Sequence, residues 1–124
     1  MRSLPPYSSD EPSRAEVDAL AGDTVLEFGA NWCGICRSAQ RAVGEALGAA
    51  AERGPLRHLR IEDGPGRPLG RSFGIKLWPT LVVLRDGREV ARVVRPHGVP
   101  EITDALARLA ERRSTIEAEG QRPD

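Results

Sequence analysis

The chain has 124 residues, enough for one compact domain that buries about two-thirds of its unfolded surface without a disulfide staple. It is 40% hydrophobic and 29% charged, and its 18 basic and 18 acidic residues cancel. That balance excludes the basic excess of a nucleic-acid or membrane-surface protein.

The first ten residues carry two prolines and several serines, and are expected to form a flexible N-terminus. They contain no apolar core of a secretory signal. No apolar run is long enough to span a bilayer, so the expected compartment is the cytoplasm. Asp10 or Ser13 can cap a short helix over 12–20, which Gly22 stops. Residues 24–30 read as a central strand, apolar on both faces except at Glu27. Residues 34–53 read as a helix, with Cys36, Ala39, Val43, Leu47 and Ala50 at helical spacing and Gly54-Pro55 closing it.

A second strand is expected over 56–63, then a turn and a short helical segment to about Phe73. Residues 80–85 form a strong strand, Asp86-Gly87 is a hairpin dipeptide, and 89–94 return. Pro100 opens a last helix with Ile102, Leu106, Leu109 and Ala110 as its stripe. The pattern fades past Arg113, so 11–113 is the expected domain and 114–124 a frayed or disordered tail. Strands one and two enclose a long helix and should be parallel; the last two should be antiparallel. The fold class is therefore α/β, a mixed sheet of four to five strands flanked by helices on both faces.

The chemistry centres on Cys33 and Cys36, the chain's two cysteines. Cys33 falls at a helix N-terminus, where unpaired N–H groups and the macrodipole favour a thiolate, the form that attacks disulfides. Cys36 lies one turn on along the same face and can resolve a mixed disulfide. Gly34 keeps the approach open. Zinc is the weaker reading, because His58 and His97 are far apart and not in finger spacing. Both histidines read as surface residues.

Residues 28–36, Phe-Gly-Ala-Asn-Trp-Cys-Gly-Ile-Cys, and 73–80, Phe-Gly-Ile-Lys-Leu-Trp-Pro-Thr, resemble the thioredoxin family. The hairpin and the last helix match as well, so the resemblance covers 12–113. It implies a thioredoxin-like fold with Pro79 cis beside the cysteines. It also implies that the Trp78 backbone pairs with an extended substrate, and that Trp32, Gly34 and Ile35 face it. Glu27 stands where thioredoxins carry a buried Asp. Burial should raise its pKa and let it take the Cys36 proton through a water; the competing reading is an ion pair with Arg60.

The chain departs from the family at three places. Ile35 replaces a proline, and with no donor or charge there a reducing protein is expected. Gly29 replaces a tryptophan, and Arg95-Pro96 stands where a glycine lets partners approach. The expected function is a monomeric protein-disulfide reductase that cycles between the Cys33/Cys36 dithiol and disulfide. It would need no metal or organic cofactor, act on disulfide-containing protein substrates, and be restored by a reductase or other dithiol donor. The alternative is a binding or co-chaperone module, or a redox sensor, with little turnover.

Overall fold

The computed structural model describes residues 4–120, with side chains as far as 111. Helix α1 (Arg14–Asp18) begins at Ser13, whose hydroxyl accepts from the Glu16 N–H while the Glu16 carboxylate accepts from the Ser13 N–H. Strand β1 (Asp23–Gly29) follows, then α2 (Gly34–Arg53) and β2 (Arg57–Glu62). Helix α3 (Pro68–Ser72) leads to the hairpin of β3 (Thr80–Arg85) and β4 (Arg88–Val94), and α4 (Val99–Gly120) closes the order.

The sheet runs β2-β1-β3-β4, with β1 and β2 parallel and the other pairs antiparallel. Alternation along its two central strands divides the core. Val25, Leu81 and Val83 pack with Val43 and Leu47 of α2 and Ile102 and Leu109 of α4. Leu26, Phe28, Val82 and Leu84 point the other way, onto Val17 of α1, Leu69 of α3 and Phe73. Helices thus cover both faces, as the apolar strand pattern required. On β1 the same alternation places Glu27 and Gly29 on the face of Val25, toward α2.

Two boundaries differ from the expectation. Residues 4–10 are not a flexible lead-in. Tyr7 is buried, and Ser8 makes an isolated parallel bridge to Ile61. The Ser8 N–H donates to the Arg60 carbonyl and the Glu62 N–H to the Ser8 carbonyl, both at 2.9 Å. A fifth strand is thereby reduced to one bridging residue on the outer edge of β2. Prolines 5 and 6 cannot donate to a ladder, so the pairing cannot lengthen toward the N-terminus. At the other end, the α4 backbone continues past Arg113 to Gly120. Glu and Ala in that stretch are good helix formers even where the apolar stripe has run out. Residues 121–124 lie outside those described. No helix among the described residues is long and apolar enough to cross a membrane.

The hairpin turn places Asp86 at φ 49° and Gly87 at φ 79°, and a Cβ on Gly87 would lie 2.1 Å from the Asp18 carbonyl oxygen. Gly87→Ala therefore meets both backbone strain and a backbone clash. It is expected to destabilise the fold by about 2 kcal/mol or more in urea unfolding.

Candidate active site

The site forms where β1 ends and α2 begins. The Cys33 N–H donates to the Ala30 carbonyl at 3.1 Å, which turns the chain so that Cys33 becomes the N-cap of α2. Its Sγ then accepts from the Cys36 N–H at 3.2 Å. A donor directed at sulfur interacts more strongly with a thiolate than with a thiol. Both cysteines are free thiols. Cys33 is 8% exposed and Cys36 only 1%, which makes Cys33 the sulfur a partner meets first. Burial, followed by the neighbouring Cys33, pushes the Cys36 thiol up to about 11.

Trp78 packs against the cluster of Tyr7, Ala30, Cys33 and Cys36. Trp32 is 74% exposed and sets its ring edge-on to Trp78, with centroids 5.6 Å apart. Ile35 and Leu77 add exposed apolar surface, and Gly34 has nothing within 4 Å of where a Cβ would stand. The Trp78–Pro79 peptide is cis, and Pro79 is buried. Trp78 is anchored by its Nε1–H, which donates to Asp63 Oδ2 at 2.9 Å. Asp63 is held in turn by its own N–H on the Gly29 carbonyl. Leu77 and Asp63 escaped the sequence reading: an exposed leucine and a loop aspartate carry no spacing signal.

Arg95 also reaches the site. It sits at φ 49°, its N–H donates to the Pro79 carbonyl, and its Nε–H donates to the Trp78 carbonyl at 2.8 Å. The carbonyl on which substrate pairing was expected is thus already engaged by a side chain.

Behind the cysteines lies a buried polar cluster. Glu27 Oε1 is 2.9 Å from His58 Nε2 and accepts from Arg60 Nε at 3.0 Å. Oε2 accepts from Arg60 Nη2 at 3.0 Å and from the Tyr7 hydroxyl. The expectation of a raised carboxyl pKa is corrected here. Burial does oppose the charge, but the bonds from His58, Arg60 and Tyr7 outweigh it and hold Glu27 below the usual carboxylate range. A carboxylate so held is a poor acceptor for the Cys36 proton, and the ion pair with Arg60 is the reading that fits. His58 is likewise a partner in this cluster rather than a plain surface residue, while His97 lies exposed near α4. Among the described residues, no three His, Cys, Asp or Glu side chains converge as a metal site.

Gly29 finds its reason beside this cluster. A Cβ there would stand 2.6 Å from Tyr7 Cζ, 2.7 Å from its hydroxyl oxygen and 2.8 Å from Cys36 Sγ. The missing side chain makes room for Tyr7 against Cys36.

The thioredoxin family model matches residues 7–108. A solved structure, reduced thioredoxin 2 from Pseudomonas aeruginosa PAO1, is 51% identical with a TM-score of 0.76, covering 86% of this chain and 97% of its own. Thioredoxin from Chlamydia muridarum is 38% identical over 63% of this chain and 74% of its own length. Thioredoxin from Chlamydia caviae is 32% identical over 75% and 84%.

Glu27→Gln is expected to cost about 3 kcal/mol or more, because it leaves Arg60 buried without its counter-charge. The acid limb should change too. A depressed folded pKa gives stability that is present above the ordinary value of 4.5 and lost as pH falls below it. Urea midpoints taken from pH 7 down to pH 3 should fall steeply for the native chain and less for Glu27→Gln.

Proposed function

The chain belongs to the thioredoxin family of thiol–disulfide oxidoreductases, and on that premise we propose that it reduces disulfides in protein substrates through a Cys33/Cys36 cycle. The observation that carries the reading is the Cys33 sulfur at the mouth of α2, receiving the Cys36 N–H in a cluster against which Trp78 packs.

The Cys33 thiolate attacks one sulfur of the substrate disulfide, and the other sulfur leaves as a thiolate that takes a proton from solvent. Cys33 is then joined to the substrate in a mixed disulfide. Trp32, Gly34 and Ile35 form the near wall for the bound segment. Trp78 and Pro79 form the far wall, where an extended backbone can add alongside residue 78. Cys36 loses its proton and attacks Cys33 Sγ, which releases the second substrate thiolate and leaves the Cys33–Cys36 disulfide. Two electrons have passed to the substrate, and a reductase or other dithiol donor returns the enzyme to its dithiol. The cycle uses no metal or organic cofactor.

Ile35 brings neither donor nor charge to the thiolate, in keeping with a reducing protein. The Arg95 contact favours a narrow choice of partner, since a substrate strand must share the Trp78 carbonyl with that guanidinium or displace it.

Cys33→Ser should abolish reduction of a disulfide-bonded peptide, whereas Cys36→Ser should accumulate a mixed disulfide visible by mass spectrometry. A Cys36→Ser protein that traps no adduct would overturn the scheme. Arg95→Ala should lower KM for the peptide several-fold with kcat little changed; an unaltered KM would show that the Arg95 contact does not compete with substrate.

A further inference from the structure

Tyr7, the chain's one tyrosine, has no part in the cycle above, yet it is the polar side chain set against the resolving sulfur. Its ring lies under the Arg60 guanidinium, whose Cζ is 4.1 Å from the ring centroid. Its hydroxyl donates to Glu27 Oε2, and the residue packs in one buried cluster with Cys36, where a single Cβ on Gly29 would meet both the hydroxyl oxygen at 2.7 Å and Cys36 Sγ at 2.8 Å. The glycine at 29 is what allows that approach. Two hydrogen bonds to Asn31 fix its backbone: Tyr7 N–H to Oδ1 at 2.8 Å, and Asn31 Nδ2 to the Tyr7 carbonyl at 3.2 Å.

A hydroxyl both donates and accepts, and it rotates. While Cys36 is a thiol, the Tyr7 oxygen can accept its S–H and pass its own O–H to Glu27. When that bond is given up the carboxylate keeps its other partners, two donors from Arg60 and a contact to His58. The O–H is therefore free to turn when a negative charge develops on sulfur.

We propose that Tyr7 is a catalytic residue of the resolving step: its hydroxyl swings from Glu27 to Cys36 and donates to the thiolate as the sulfur attacks Cys33. This rests on the disulfide-reductase reading. The Cys36 proton goes to solvent through the cleft of about 260 Å³ that Tyr7, Cys36, Arg37, Gln40 and Arg60 line. The Cys36–Cys33 bond forms, the bond from Cys33 to the substrate breaks, and the departing thiolate takes a proton from solvent. The charged and titratable groups facing Cys36 are Cys33 on its own helix, Tyr7 on the N-terminal segment, Glu27 on β1 behind it with Arg60 and His58 on β2, and Arg37 at the cleft. Of these, Tyr7 brings an uncharged donor to the sulfur, and a sulfur pushed up to about 11 needs one near neutral pH.

Thiolate absorbance in a Cys33→Ser background reads Cys36 alone. Adding Tyr7→Phe should move the midpoint upward. In the two-cysteine protein, the same change should slow mixed-disulfide resolution about ten-fold or more, while alkylation of Cys33 keeps its rate. Because tyrosine occurs once, growth on 3-fluorotyrosine labels position 7 and acidifies its hydroxyl without removing it. That protein should show a lower Cys36 midpoint and a fluorine signal that shifts as Cys36 ionises. A Tyr7→Phe protein with unchanged midpoint and resolution rate, or a fluorine signal blind to Cys36, would overturn the proposal. Failure of Cys36→Ser to trap substrate would instead strike the reductase reading, and the titrations would still report the Tyr7–Cys36 contact.

Discussion

The buried pair of Glu27 and Arg60 is the constraint from which the rest of the structure follows. A carboxylate on the central strand, fully enclosed between sheet and helix, is tolerable only with charge and hydrogen bonds around it. Arg60 on the parallel neighbour provides both, in strand register with Glu27. The guanidinium then has its own needs. It donates to the Pro5 carbonyl and lies on the Tyr7 ring, so the N-terminal segment is drawn onto the sheet to complete the shell. One charged residue at the centre thus dictates what sits at the edge.

The site built on that foundation has two sides with different chemistry. Outward, Cys33 opens onto an apolar rim in which Trp32 and Trp78 meet edge to face. Inward, Cys36 faces a hydroxyl backed by an ion pair. The two sulfurs are one helical turn apart, yet one lies toward exposed apolar surface and the other against a buried hydroxyl and ion pair.

The sequence revealed the parts whose physics is local. Strand alternation, the Asp86-Gly87 turn and the cap at Ser13 come from neighbouring residues, and the structure has them at those places. The place of the cysteine pair was legible for the same reason: Cys33 caps a helix start, and the helix start could be read. Tyr7 was not, because two prolines and several serines around it read as loose chain and its partners lie 20 and more residues away. The pKa of Glu27 went the other way for a related reason. Burial is visible as an apolar run, whereas the donors that outweigh it come from β2 and the N-terminal segment, whose registers no local pattern specifies. Gly29 stood as an unexplained departure until the ring that fills its space was in view.

The bridge at Ser8 has a bearing on solubility. Parallel strand β2 borders the sheet, and its outward amide and carbonyl groups at Arg60 and Glu62 are taken by Ser8. An uncovered border of that kind is a template for pairing with another molecule. Expression designs that trim the chain to its first helix would strip this cover, and self-association through β2 is the hazard they would create.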